Sequence, residues 1–589
     1  MTQAQRTGGT ELNRHGEGVE MSEDAYWARV QRQGVTRRRL LQAAGAGAAV
    51  TGVALAGCGR AKPQASGGGA SSKAGGTPKP GGIARLRITN DPFDWDMSYA
   101  GKSIPNDYGQ DLAYDSLLAF KHGPGVDYGA SILQPNLATK WETPDAITYT
   151  FQLRQGAKFA NRAPVNGREL TSADIKWSYE YWSRTGQFKG NGKLPPSQYA
   201  GYFEGMSGIQ TPDPYTVVVT FAQPFVPFIN YAGSYFNPIV PHEVFDADGN
   251  LQTQIAGTGP YQLDQASSQK GSRWIWKKNP NYWDSGKPYI DEVHWIVLSD
   301  QAAANSAFQT KQVDIMGVAG DTMAVISAEQ FMKANPNASY AEYLPVGCSL
   351  YININTKKAP MNDARVRQAM SFAIDRDEFI KTMSNGKGGW ALSGAFPDTY
   401  TQDEMKQFLK YDPAQAKQLL SAAGYANGVD FEWIYPGLSY GQDYVTAIQL
   451  LQAQLKKVGM NMTLKSFDKD AWTNNRKTYN FQMTGSAKGD LGGDVDSWLY
   501  DFHSGNKSNY SQVTDPQLDA LIDQSRKETD AAKRKEIIRQ AVKLIATQAY
   551  SLSAWSGHQF QFWQPALKGY SPNFGVNTVP QTDNWVATA

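Results

Sequence analysis

Residues 149–159 carry the pattern that decides the fold. They read Tyr149-Thr150-Phe151-Gln152-Leu153-Arg154-Gln155-Gly156-Ala157-Lys158-Phe159. The first five residues alternate between large apolar and polar side chains, which predicts a half-buried β-strand that ends before Gly156. The same alternation over residues 84–88 and 216–221 predicts two further strands.

Sequence patterns between these strands and after them predict helices. In Leu170-Thr171-Ser172-Ala173-Asp174-Ile175, a hydroxyl side chain stands three residues before an acid, which is the pattern of a capping box at a helix start. Further helices are expected after Asp412-Pro413 and Asp515-Pro516, and over residues 444–458 and 530–548. Gly424 is expected to end one of them in a left-handed conformation. From Gly81 onward the chain is therefore a mixed α/β protein without an internal repeat.

Length and charge limit the possible functions. The 589 residues are enough for roughly two to four domains. Residues 1–58 hold seven arginines, no lysine and five acids, so they carry the whole net charge of +2, while the remainder has fifty side chains of each sign. Binding of nucleic acid by bulk charge needs a basic excess, so no nucleic-acid partner is expected. The two cysteines, Cys58 and Cys348, are too few for a disulfide scaffold or a thiolate zinc cluster.

The N-terminal segment is predicted to be an export signal with a lipid attachment site. Arg37, Arg38 and Arg39 precede residues 40–55, a run of mostly Ala, Gly, Leu and Val. This run is shorter than the roughly 20 residues that cross a bilayer, and it suits the apolar region of a signal peptide. Arg37 and Arg38 fit twin-arginine export. Leu55-Ala56-Gly57-Cys58 resembles a bacterial lipobox, in which Cys58 would be acylated; an uncleaved anchor helix is the alternative.

One motif is compatible with an enzyme. Gly437-Leu438-Ser439-Tyr440-Gly441 matches the G-x-S-x-G nucleophile elbow, with Ser439 as nucleophile and His503 or His558 as the downstream histidine. The other interpretation is a strand-to-helix turn in which glycine supplies positive φ. The chain has no helical pair of histidines and no phosphate-binding loop motif, so neither a metal nor a cofactor is expected.

Several short motifs, separated along the chain, carry a family resemblance. They are Tyr114-Asp115-Ser116-Leu117-Leu118, Pro135-Asn136-Leu137-Ala138-Thr139-Lys140-Trp141-Glu142, residues 149–159 and 170–175, Gly257-Thr258-Gly259-Pro260-Tyr261, Asn279-Pro280-Asn281-Tyr282-Trp283, Lys287-Pro288-Tyr289-Ile290-Asp291, Val313-Asp314-Ile315, Arg365-Val366-Arg367-Gln368-Ala369 and Ala373-Ile374-Asp375-Arg376. In this order, residues 81–575 resemble the extracytoplasmic solute-binding proteins of ABC importers, family 5, a group that binds oligopeptides, dipeptides or nickel.

The resemblance implies an α/β architecture, the type II periplasmic-binding-protein fold of the cluster C kind, with two hinged lobes and an extra inserted domain. The implied parts are a signal peptide (1–57), a flexible lipid-anchored linker (58–80), lobe I (81–130, 256–345 and 551–589), an inserted domain II (131–255) and lobe II, or domain III (346–550). A solute would be held between the lobes, which close by hinge motion. No bond is broken, so the family implies no catalytic residue.

The ligand contacts are also implied by the family. In peptide-binding members an aspartate that follows a Gly-Trp pair binds the α-amino group of the peptide. A charge-assisted hydrogen bond between the carboxylate and the ammonium group accounts for this contact. Asp490 matches that aspartate by position, whereas Ser486 stands where the tryptophan is usual. The other residues expected in the cleft are Tyr114, Trp390, Trp498, Asn509 and Tyr510. An oligosaccharide stacked on Trp390 and Trp498 is the alternative ligand.

The resemblance implies partners and a location as well. The protein would deliver its solute to permease subunits in the membrane. It would act as a monomer outside the cytoplasm, held to the cell membrane by lipid at Cys58.

Overall fold

A computed structural model describes residues 76–587, apart from residues 93, 99–103, 318–321, 346, 393–398, 438, 489–492 and 574–580. The predicted export signal with Arg37 and Arg38, the lipid site Cys58 and the predicted ligand residue Asp490 therefore lie outside the described residues. None of the described helices is both long and apolar enough to cross a membrane.

Twenty-three strands are formed within the described ranges. They are β1 (Ile83–Ile88), β2 (Leu118–Phe120), β3 (Leu133–Pro135), β4 (Ala138–Glu142), β5 (Thr148–Leu153), β6 (Met206–Asp213), β7 (Thr216–Phe221), β8 (Tyr261–Leu263), β9 (Arg273–Lys278), β10 (Glu292–Val297), β11 (Ile315–Met316), β12 (Met323–Ala324), β13 (Ser339–Tyr343), β14 (Cys348–Ile354), β15 (Gly388–Gly389), β16 (Val429–Tyr435), β17 (Met460–Ser466), β18 (Met483–Lys488), β19 (Ser551–Ser553), β20 (Ser556–Gly557), β21 (Gln559–Trp563), β22 (Leu567–Lys568) and β23 (Trp585–Val586).

The α-helices of the same ranges, in chain order, are α1 (Ile104–Ala113), α2 (Ser172–Ser183), α3 (Phe228–Tyr231), α4 (His242–Asp248), α5 (Gln301–Gln309), α6 (Val325–Ala334), α7 (Ala364–Ala373), α8 (Arg376–Ser384), α9 (Gln402–Phe408), α10 (Pro413–Ala422), α11 (Gly441–Lys456), α12 (Lys469–Lys477), α13 (Asp496–Leu499), α14 (Pro516–Lys527) and α15 (Ala531–Thr547). Three short 3-10 helices cover Gly186–Phe188, Ala200–Phe203 and Tyr500–Phe502.

Three main sheets organise these elements. The first has the strand order β12-β21-β11-β1-β10-β9-β8, with β13 also paired to β21; the second has the order β17-β16-β18-β14-β19; and the third has the order β4-β5-β7-β6. We call the parts built on them the first lobe, the second lobe and the inserted domain. In the first lobe β1 runs parallel to both of its neighbours, β10 and β11, whereas the inserted sheet is antiparallel throughout.

The first lobe and the inserted domain share one hydrophobic core. Leu86 of β1, Phe151 of β5 and Val219 of β7 are fully buried in the same cluster. The second lobe has separate clusters, one around Trp433 of β16 and one around Trp498 of α13. Burial of apolar surface is the main stabilising contribution, so we describe the first lobe with the inserted domain as one body and the second lobe as the other.

The local predictions are confirmed. Strands β1, β5 and β7 form at the alternating segments, with burial that alternates along β7. Thr171 and Asp174 make the predicted capping box at the start of α2, and Asp412 and Asp515 cap helices that begin with proline. Gly424 has a φ of +92°. The domain bounds given above stay predictions.

Candidate functional site

The chain crosses between the two lobes at two neighbouring places. It leaves the first lobe after β13 and enters the second at β14; it returns from β19 through β20 to β21. The two connections lie side by side, because Tyr343 pairs with Gln559 in the sheet and the backbone N–H of Ser349 donates to the carbonyl of Trp555 at 2.9 Å. Paired connections of this kind allow two lobes to move as bodies about one hinge.

The tryptophans that the sequence places in the cleft lie in the core of the second lobe. Trp390 is 7% exposed, and its indole Nε1 donates to Asp377 Oδ1 at 2.7 Å. Trp498 is 1% exposed and packs edge-on against Phe502. Neither ring has a face open for a sugar, because helices α9 and α15 contribute the side chains packed around them.

The remaining predicted contacts are also engaged within the protein. Tyr114 is buried, its hydroxyl accepts from the backbone N–H of Ala256 at 3.2 Å, and burial raises its pKa to about 12. The buried amide of Asn509 donates to the carbonyl of Val513 at 2.9 Å and accepts from its N–H at 3.1 Å. Tyr510 is half-buried, with the guanidinium of Arg476 4.5 Å from its ring centre. Contact of these side chains with a solute stays a prediction.

Four charged residues that the sequence analysis did not single out as a site form two buried ion pairs in the second lobe. Arg526 Nε and Nη2 donate to the two carboxylate oxygens of Asp496 at 2.7 and 3.0 Å. Arg534 makes a similar bidentate contact with Asp494, in which Nη2 donates to Oδ1 at 2.7 Å and Nη1 to Oδ2 at 3.0 Å. Burial acts to raise the pKa of Asp494, but Arg534 and the N–H of Asp496 hold that pKa below its usual value. Asp494 is therefore charged inside the protein.

Three of these four residues, Asp494, Asp496 and Arg526, also join the second lobe to the inserted domain. Asn230 Nδ2 donates to Asp494 Oδ2 at 2.9 Å, and the hydroxyl of Tyr231 donates to Asp496 Oδ2 at 2.8 Å. Arg526 Nη1 donates to Glu204 Oε2 at 2.6 Å. We call these seven residues the interdomain charge network: Glu204, Asn230, Tyr231, Asp494, Asp496, Arg526 and Arg534. It is a second junction between the two bodies, made of side chains rather than of the hinge backbone.

A polar cavity of about 280 Å³ opens between α1, the loop before β10 and the C-terminal segment. Asp111 of α1 and Asp115, two residues beyond the end of α1, line it together with Lys287 and Asp583, which form an ion pair with one another at 2.5 Å. Asp111 accepts one hydrogen bond, from Gln581 Nε2 at 3.3 Å. Burial, and to a smaller extent the charge of Asp115, raises the pKa of Asp111 to about 7.

This raised pKa predicts a pH-dependent stability. Because its pKa is raised, ionisation of Asp111 is less favourable in the folded than in the unfolded protein. The free energy of unfolding is therefore highest below the unfolded pKa of about 3.8, where Asp111 is protonated in both states, and this contribution is lost as the pH rises through about 7. Replacing Asp111 with Asn should therefore increase the free energy of unfolding at pH 8 by roughly 1–3 kcal/mol and change it little at pH 4. Denaturant unfolding at both pH values measures this. Asp470→Asn, on the exposed start of α12, is the control; an equal effect of D111N at both pH values contradicts the prediction.

The serine motif forms a turn. Ser439 is exposed, and its backbone N–H donates to the carbonyl of Pro436 at 3.0 Å. Gly437 and Gly441 have φ values of +52° and +80°, as the turn interpretation expects. The two candidate histidines face other partners: His503 lies 3.4 Å from Asp523, and His558 lies 2.8 Å from Glu342. Within the described ranges no group of three or more His, Cys, Asp or Glu side chains could hold a metal ion.

Two α/β lobes joined by paired crossovers define the class of bilobed solute-binding proteins. Residues 133–510 match the family model described as "Bacterial extracellular solute-binding proteins, family 5 Middle". The chain belongs to this family and is a solute-binding component of an ABC importer that acts outside the cytoplasm. It is a family of binding proteins, not of enzymes, so the hydrolase hypothesis for Ser439 is wrong.

Curated relatives and solved structures agree with this assignment. The dipeptide-binding protein of Escherichia coli is 28% identical over 504 residues, covering 81% of this chain and 88% of that protein. Heme-binding protein A of Haemophilus influenzae is 25% identical over 477 residues, with coverage of 78% and 84%. The structure of DppA from Helicobacter pylori with the peptide STSA superposes with a TM-score of 0.73 at 23% identity, covering 87% of this chain and 99% of that one. At that identity the superposition establishes the fold alone.

Proposed function

We propose that this protein captures a peptide-like solute between its two lobes and delivers it to the permease of its importer. The observation that carries the proposal is the 28% identity to the Escherichia coli dipeptide-binding protein over four-fifths of this chain. The hinge of paired crossovers supports capture by closure, since two bodies that share a hinge can enclose a ligand between them. Asp490 is the proposed partner of the α-amino group, with Tyr510 the half-exposed aromatic residue on the same lobe.

Ligand-dependent melting tests the proposal. A solute that binds only the folded state stabilises it, by about 2.7 kcal/mol when its concentration is 100 times its Kd. We expect a di- to pentapeptide to raise the melting temperature in a saturable way, and oligosaccharides to have no effect. Mass spectrometry of whatever copurifies with the protein identifies the natural solute. If sugars shift melting and no peptide does, the oligosaccharide alternative replaces the peptide proposal.

A carboxamide substitution tests the role of Asp490. Asp490→Asn should weaken binding of a stabilising peptide at least about tenfold, because a charge-assisted hydrogen bond contributes roughly twice as much as a neutral one. Asp470→Asn is the matched control, since this carboxylate is exposed on α12 of the same lobe. If D490N binds the peptide as tightly as the unaltered protein, Asp490 does not bind the α-amino group. That result would not contradict the proposal that the solute is a peptide.

We further propose that the protein is exported by the twin-arginine route and anchored by lipid on Cys58. The motif around Arg37 and Arg38, followed by a short apolar run and Cys58, supports both steps. Arg37→Lys, Arg38→Lys and Arg39→Lys together should leave the precursor in the cytoplasm, and Cys58→Ser should release the exported protein from the membrane. Cell fractionation followed by immunoblotting measures both. Normal export of the lysine variant indicates the general secretory route.

A further inference from the structure

The segment that leads from β18 into α13 contacts the inserted domain through two carboxylates. Asp494 accepts a hydrogen bond from Asn230 Nδ2 at 2.9 Å, and Asp496 accepts one from the hydroxyl of Tyr231 at 2.8 Å. Burial and the charge of Asp496 raise the pKa of Tyr231 well above its usual value, so this hydroxyl keeps its proton and donates. The two donors are neighbours in α3. One short helix of the inserted domain therefore holds two points of the opposite lobe.

Two further contacts join the same regions through the backbone. A Cβ on Gly493 would lie 2.3 Å from Cζ of Phe120 in β2, so the backbone at Gly493 lies directly against that ring. The backbone N–H of Val226 donates to the carbonyl of Arg526 at 2.8 Å. The second lobe is thus held against the other body by contacts that are separate from the covalent hinge.

This junction can separate without leaving a buried charge unpaired. Asp494 and Asp496 have their counter-charges, Arg534 and Arg526, within their own lobe. The groups that reach them from the inserted domain are a neutral amide and a neutral hydroxyl. Loss of the counter-charge of a buried ion is strongly destabilising, whereas hydrogen bonds that are exchanged for hydrogen bonds with water cost far less. The one charged group that crosses the junction is Glu204, whose side chain is 46% exposed.

We propose that Asn230 and Tyr231 form a latch, which holds the second lobe closed against the inserted domain and releases it when the lobes separate. A protein that captures its solute by closure binds it with an apparent affinity proportional to the closed fraction. The latch would therefore set the affinity for the solute without touching it. The proposal rests on the proposed function only in that a solute lies between the lobes, and it holds for a peptide and for an oligosaccharide alike.

A measurement of lobe separation in the solute-free protein tests the latch. Nitroxide labels on K140C in the inserted domain and K417C in the second lobe, both exposed positions, report the separation by pulsed electron resonance; Cys58 is replaced by Ser, and Cys348 is buried. The unaltered protein should populate the separation that the structure has. Tyr231→Phe keeps the ring and removes the donor, so the ratio of closed to open protein should fall at least about tenfold, as expected for one hydrogen bond to a charged group.

Solute binding gives a second readout with a matched control. Y231F should weaken binding of a stabilising peptide by the factor by which the closed fraction falls. Tyr181→Phe is the control, because Tyr181 is also fully buried and its hydroxyl also donates to a buried carboxylate, that of Asp96, but both residues belong to one body. Y181F should lower stability and leave lobe separation and affinity unchanged. If no peptide binds, the proposed function is contradicted, and the solute-free measurement still decides the latch.

Asn230→Asp is a second variant that acts on the same junction by repulsion. It places a carboxylate opposite that of Asp494, and like charges repel, so the open population should exceed that of Y231F. Three results would overturn the proposal. The first is a lobe separation that is unchanged in both Y231F and N230D. The second is an equal change in Y181F, and the third is a solute-free unaltered protein that never adopts the separation of the structure.

Discussion

Replacing Arg526 with alanine should lower the free energy of unfolding by about 3–5 kcal/mol. The side chain of Arg526 is 7% exposed and that of Asp496 is 1% exposed. Removal of the guanidinium leaves the carboxylate of Asp496 buried with Tyr231 as its remaining side-chain donor. It also removes the contact to Glu204 and the stacking on Tyr500, whose ring centre lies 3.5 Å from the guanidinium carbon. The loss is large because a buried charge remains without its counter-charge.

Denaturant unfolding followed by circular dichroism measures this loss. Lys465→Ala is the control, because the ion pair of Lys465 with Glu432 lies on the surface of the same lobe, and an exposed pair contributes about 0–1 kcal/mol. The double variant Arg526→Met/Asp496→Leu should lose less than R526A alone, since both charges leave together. Equal losses in R526A and the lysine control would show that the interdomain charge network does not stabilise the fold.

Replacing Gly257 with alanine should cost about 3 kcal/mol or more. A Cβ at this position would lie 2.0 Å from the carbonyl oxygen of Ala113 and 2.3 Å from Cδ1 of Tyr114. The carbonyl cannot move away freely, because it also accepts from the N–H of Gly259 at 2.9 Å. Adding a methyl group to a well-packed interior typically costs 1–3 kcal/mol, and here the obstacle is backbone at the end of α1. Thermal and denaturant unfolding measure the change.

A glycine in open space provides the matched control for this substitution. A Cβ on Gly192 would meet no atom within 4 Å, and its φ is not in the left-handed region, so Gly192→Ala should leave stability within about 0.5 kcal/mol of the unaltered protein. Similar stability of G257A and G192A would mean that the segment after the inserted domain does not need its close approach to α1.

The Gly257-Thr258-Gly259 motif shows what a sequence pattern does and does not explain. As a pattern it contributed to the family resemblance, and the family was confirmed. Its physical role became evident only from the packing against Ala113, which is 144 residues away in the chain. The local features were predictable because their causes are local: the Thr171–Asp174 capping box satisfies the amides of its own first turn.

The sequence was a poorer guide to which residues form the ligand site. Trp390 and Trp498 were placed in the cleft by position in the family, yet both side chains fill the core of the second lobe. Aromatic residues are used for packing and for binding alike, and the sequence does not separate these uses. Asp494 and Asp496 were not predicted as a site, because their partners Arg526 and Arg534 lie in other helices and Tyr231 lies in the inserted domain.

The sequence by itself determined the α/β class, the places of strands and capped helices, the family and the absence of a basic excess in the body. Alternation, capping and charge are properties of neighbouring residues, so one chain is enough to read them. Only the tertiary structure decided that the inserted domain shares its core with the first lobe and that Asp494, Asp496 and Arg526 join it to the second. Burial, and ion pairs between residues more than a hundred positions apart in the sequence, depend on how the lobes pack. The reason is that the free-energy contribution of a charge or a hydrogen-bond donor depends on the groups that surround it.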